Sequence, residues 1–150
     1  MRYLLTFCVL LASVSGAFAA DGVIMVRSSH DVVTTADRLE AALTSKGMTV
    51  FTRTDHTAGA QKAGLELRPT LLVVFGNPKV GTPLMQCQQT VAIDLPQKAL
   101  IYQDEAGQVW LAYNDPDYLD TRHAIGPCGE QGVKKVAAAL ANFSRMATKP

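Results

Sequence analysis

Six residues in the middle of the chain, Thr70-Leu71-Leu72-Val73-Val74-Phe75, run between Pro69 and Gly76 without a charge or a break. An uninterrupted apolar run of β-branched and aromatic residues describes a strand buried on both faces, and hence one lying centrally in its sheet. The remaining segments must supply strands beside this one and helices to cover it.

They do so in a mixed order. Gly22 to Arg27 reads as a first strand. Val32 to Lys46 places Val32, Ala36, Leu39 and Leu43 on one helical face, and Gly47 stops that helix. Met48 to Arg53 alternates as a second strand, after which Asp55 caps a short helix over Thr57 to Ala63, ended by Gly64. Beyond a Gly76 to Gly81 loop, a short helix is expected around Pro83 to Val91, broken by Leu95-Pro96. Ala99 to Gln103 and Val109 to Tyr113 flank Asp104-Glu105-Ala106-Gly107, a hairpin signal. Asn114-Asp115-Pro116 opens a turn or single helical turn, Gly126 to Gly129 is a loop, and Gly132 to Ala147 is amphipathic, with Val133, Val136, Leu140 and Phe143 as its stripe. The predicted class is α+β: one domain, a mostly antiparallel sheet of about five strands, and helices packed on one face.

The N-terminus reads as an address. One charge at Arg2, an apolar stretch from Leu4 to Val14, a break at Ser15-Gly16 and the small residues of Ala17-Phe18-Ala19 match a secretory signal peptide over 1–19. The stretch is shorter than the roughly 20 residues of a membrane span. Cleavage leaves a domain over 20–150 with equal numbers of basic and acidic residues and no stable membrane span. The whole chain carries a net charge of +1, which lacks the basic field of a nucleic-acid partner. The expected location is the periplasm or the outside of the cell.

Removal of Cys8 with the signal leaves Cys87 and Cys128, an even pair in an oxidising compartment. A structural disulfide between them is the preferred reading. A redox or metal-binding thiol pair is the alternative, although neither cysteine sits in a CxxC motif.

Other motifs are weaker. Gly76-Asn77-Pro78-Lys79-Val80-Gly81-Thr82 follows a strand as phosphate loops do, but it lacks their Gly-Lys-Ser/Thr ending and Pro78 removes an N–H. It reads as a tight structural turn. His56 stands beside Asp55 and near Arg53, where a carboxylate could orient an imidazole; the plainer role of Asp55 is a helix cap. Met85 and Cys87 place two soft sulfurs close enough to suggest Cu(I), in competition with the disulfide. No zinc signature, hydrolase elbow or nucleotide fingerprint occurs, so no metal or cofactor is assigned.

Taken together, Arg53-Thr54-Asp55-His56, then Ala63 to Thr70, then Val74-Phe75-Gly76-Asn77-Pro78-Lys79-Val80-Gly81-Thr82-Pro83-Leu84-Met85, with Asp94-Leu95-Pro96 and Tyr113-Asn114-Asp115-Pro116, resemble the bacterial and archaeal domain-of-unknown-function family numbered 302. The resemblance covers about 28–123, with the C-terminal helix at about 132–147 beyond it. It implies a small α+β domain that tends to form homodimers, and it transfers no catalytic residue. Asp55, His56, Arg68, Asn77 and Met85 match the family's recurrent polar and soft positions and become the candidate ligand-binding residues. The functional expectation is a non-catalytic module that binds a small molecule or metal near Asp55, His56 and the Gly76 to Met85 segment. A thiol/disulfide redox protein using Cys87 and Cys128 ranks second, and an enzyme with His56 as general base ranks third.

Overall fold

The computed structural model describes residues 22–150, so the signal peptide read at 1–19 lies outside the described residues. Five strands form one antiparallel sheet: β1 (Val23–Arg27), β2 (Thr49–Asp55), β3 (Thr70–Gly76), β4 (Gln97–Gln103) and β5 (Val109–Asn114), in the order β1-β5-β4-β3-β2. Among the described residues five α-helices accompany them: α1 (Val32–Ser45), α2 (His56–Lys62), α3 (Pro78–Cys87), α4 (Pro116–His123) and α5 (Glu130–Thr148). The α+β class and the single antiparallel sheet are as the pattern predicts.

Local chemistry sets most boundaries. Asp31 caps α1 by accepting the Thr34 N–H at 2.7 Å, and Gly47 turns the chain out of it with a φ of 71°. Asp55 caps α2 through Ala58 N–H at 2.9 Å, and Asp115 caps α4 through Asp117 N–H at 3.0 Å. That last helix is longer than the single turn expected, running eight residues to His123.

β3 is not, as its apolar run suggests, buried on both faces. Leu71, Val73 and Phe75 are buried, whereas Thr70, Leu72 and Val74 between them are only half-buried. The strand lies between β4 and β2, one place from the edge. Val73, Ile101 and Leu111 join Leu39 and Leu43 of α1 and Val136 and Leu140 of α5 in the hydrophobic core. The opposite face bears a row from edge to edge, Met25, Ala112, Leu100, Leu72 and Thr54, of which Ala112 alone is buried. An apolar run can thus be one strand whose two faces meet different surroundings.

At the edge, β2 changes register between Val50 and Thr52, so Phe51 stands as an extra residue in a β-bulge. The bulge puts Arg53 on the helix side, where its guanidinium meets Asp37 of α1 at 2.5 Å and Glu40 at 3.4 Å. Cys87 and Cys128 are joined in a disulfide that ties the end of α3 to the 3-10 turn preceding α5.

Candidate functional site

The segment expected to be a tight loop after β3 is the start of α3. Asn77 is its N-cap: its side-chain oxygen accepts the Lys79 N–H at 2.9 Å. Pro78 takes the first helical position, where its missing N–H has no intrahelical partner to lose. Two prolines and two glycines hid this start, although an Asn-Pro pair is itself a helix-opening signal. The Asn77 amide nitrogen also donates to the Gly47 carbonyl at 3.0 Å, stitching the α1–β2 turn to the first turn of α3.

Between α3, α5 and this end of the sheet lies a groove of about 940 Å³. That is near the top of the roughly 300–1,000 Å³ range of small-molecule sites. Phe75, Leu140 and Phe143 line it from the core side, and Val80, Met85 and Ala139 from nearer solvent. Most of the lining is apolar. Cys128 also lines it, so the disulfide holds its two helical walls together.

The five candidate residues divide between the two ends of β3, which are about 20 Å apart at the usual rise of a strand. Asn77 and Met85 line the groove. Asp55, His56 and Arg68 lie at the other end. There Asp55 serves the α2 cap, and the exposed His56 ring has no hydrogen-bond partner among the described residues. Arg68 reaches the Gln103 carbonyl at 3.3 Å and Glu105 at 3.7 Å across the β4–β5 hairpin. Beside that hairpin loop, Trp110 Nε1 donates to Asp104 Oδ2 at 2.7 Å. This bond, more than any other contact, holds the Asp104 carboxyl below its ordinary range. Burial raises the nearby Tyr102 hydroxyl.

A second polar cluster escaped the sequence. His123, almost fully buried at the end of α4, places Nε2 2.6 Å from Asp94 Oδ2 and Nδ1 3.1 Å from Thr90 Oγ1. Arg122 Nη1 donates to the other Asp94 oxygen at 3.1 Å. The cluster clamps α4 to the 3-10 turn Gln89–Ile93 and its exit. Its partners are far apart in sequence and form no local motif. Among the described residues no group of three or more His, Cys, Asp or Glu side chains is placed to hold a metal ion, and the Cys87 sulfur is bonded to Cys128.

Residues 24–143 match the family model described as domain of unknown function DUF302. The chain belongs to the DUF302 family. This DUF302 chain is 44% identical over 126 residues to the fluoride-specific ion channel FluC 1 of Brucella suis biovar 1 (strain 1330), covering 84% of the chain and 50% of that protein. It is likewise 44% identical to FluC 1 of Brucella abortus biovar 1 (strain 9-941), over 84% of the chain and 47% of that protein. The chain therefore spans about half the length of the curated relatives it matches. The crystal structure of an uncharacterized conserved DUF302 protein from Bacillus stearothermophilus superposes with a TM-score of 0.76 at 22% identity, covering 85% of this chain and 99% of that one. At that identity the likeness speaks for the fold. The family match reaches Phe143 and takes in most of α5, the helix that forms one wall of the groove.

Proposed function

We propose that this protein is an exported, non-catalytic binding module that holds a small apolar ligand in the groove between α3, α5 and the sheet. The groove is the observation behind this reading: about 940 Å³ of mostly apolar concavity beside a single core. Export is supported by the Cys87–Cys128 disulfide, a bond that persists in oxidising compartments. The alternative of a His56 general base draws no support from Asp55, whose carboxylate is engaged by the α2 backbone.

The test is a titration with N-phenyl-1-naphthylamine, an uncharged apolar dye that brightens on leaving water. The wild-type protein is expected to bind it saturably. Ala139→Trp, at an exposed groove position on α5, is expected to abolish binding while leaving the circular dichroism unchanged. Undiminished binding by a folded Ala139→Trp protein would remove the groove from consideration.

The relatives favour a second reading, in which the module works beside a membrane transport protein. About half of each fluoride-specific channel from Brucella matches this chain, and among the described residues no helix is long and apolar enough to cross a membrane. On this reading the protein co-sediments with membranes of its own cells, and its recovery wholly in the soluble fraction would count against the association.

A further inference from the structure

We infer that the groove takes an anionic amphiphile, a single carboxylate head on a long apolar tail, with Lys46, Lys79 and Lys135 receiving the head. The inference rests on the groove being the binding site and adds the chemical class of its occupant.

The charges lining the groove are of one sign. Among the described residues three lysines line it, and no Asp or Glu does. The whole chain has 14 basic and 13 acidic residues, so this is a local concentration of charge and not a reflection of overall composition. The three come from separate elements: Lys46 follows α1, Lys79 lies in the first turn of α3, and Lys135 lies on α5. The Asn77 bond to Gly47 joins the backbone segments that carry the first two. None of the three forms an ion pair among the described residues. Neighbouring lysines outside the groove do find partners: Lys134 meets Glu130 at 2.5 Å, and Lys98 donates to the Asp94 and Pro96 carbonyls at 3.1 and 3.0 Å.

The head group follows from what surrounds those charges. Arginine, which grips phosphate and carboxylate alike through two parallel bonds, does not line the groove among the described residues, so the head meets separate ammonium charges. The N-terminus of α3 offers no phosphate cradle, because Pro78 lacks an N–H and Asn77 already occupies that of Lys79. Flexible ammonium groups around an apolar trough suit a carboxylate, whose tail can reach the wall of Phe75, Leu140 and Phe143. Lysine heads stay in water while their stems extend the apolar surface.

The experiment displaces N-phenyl-1-naphthylamine from the purified, disulfide-bonded protein with decanoate, dodecanoate and dodecanol, each below its aggregation threshold. Each added methylene is expected to tighten binding by about fourfold. Dodecanoate is expected to bind about tenfold more tightly than dodecanol at low salt, as three exposed ion pairs allow, and salt narrows the gap. Combined Lys46→Gln, Lys79→Gln and Lys135→Gln replacement is expected to remove the preference for dodecanoate over dodecanol, read as the ratio of the two within the variant. Equal displacement by acid and alcohol, while Ala139→Trp still abolishes dye binding, overturns the anionic head and leaves the groove standing. Unchanged dodecanoate affinity in the triple variant overturns it too. Failure of the wild-type protein to bind the dye removes the groove and, with it, this inference.

Discussion

Replacing Cys87 and Cys128 together by serine releases a cross-link between residues 41 positions apart. A loop of that length restricts the unfolded chain by roughly 13 cal/mol/K, or about 4 kcal/mol at 25 °C. For a domain of about 130 residues with an unfolding entropy near 2.1 cal/mol/K per residue, the melting temperature should fall by about 15 °C. Urea and thermal unfolding, followed by circular dichroism, measure both quantities. Wild-type protein unfolded in reductant is the control, because it loses the cross-link without changing any side chain. Agreement between the two would place the loss in the freed loop; a larger loss in the serine variant would belong to the half-buried position of Cys87. A change below about 1 kcal/mol in both would refute the reasoning, since the loop would then be restrained in the unfolded chain by something other than the bond. The same bond joins α3 to the entry of α5, so its removal should also weaken dye binding in the groove.

His123→Phe leaves the nearly buried Asp94 carboxylate with Arg122 as its remaining side-chain partner and should cost about 2 kcal/mol. Adding Asp94→Asn should return part of that loss; a His123→Phe effect within about 0.5 kcal/mol by urea unfolding would show that the clamp contributes nothing. Asp104, held below its ordinary value of 3.8 by Trp110, contributes stability above that value and loses it as the pH falls through its lower folded value. Trp110 is the single tryptophan, so its emission should report this step, and Asp104→Asn should erase it. Persistence of the step in that variant would assign it elsewhere.

How far the fold was legible depends on how local its causes are. The α1 stripe of Val32, Ala36, Leu39 and Leu43 survives intact as buried residues because that helix packs through one face. The β4–β5 hairpin was readable because Asp104 closes its own loop, accepting the Ala106 and Gln108 N–H groups. The first turn of α3 was obscured despite its Asn-Pro start: Gly81 and Pro83 argue against a helix by propensity, and the Asn77 cap and packing against α5 outweigh them. The site was harder still. Asp55 and His56 adjoin in sequence yet serve a helix end, while the groove gathers Met48, Phe75, Met85 and Leu140 from separate elements that only the folded sheet unites. Asp94 and His123 meet across 29 positions, a distance at which no spacing rule operates.

The bulge at Phe51 has a consequence for crowded conditions. β2 is an open edge of seven residues, long enough to template another chain if its ladder were regular. A second strand laid beside it would lose step where Val50 gives way to Thr52, leaving Thr52 to Asp55 as the longest regular run. The opposite edge, β1, is only five residues long. Among the described residues, then, neither edge offers a long regular template, and edge-to-edge pairing is disfavoured on both sides.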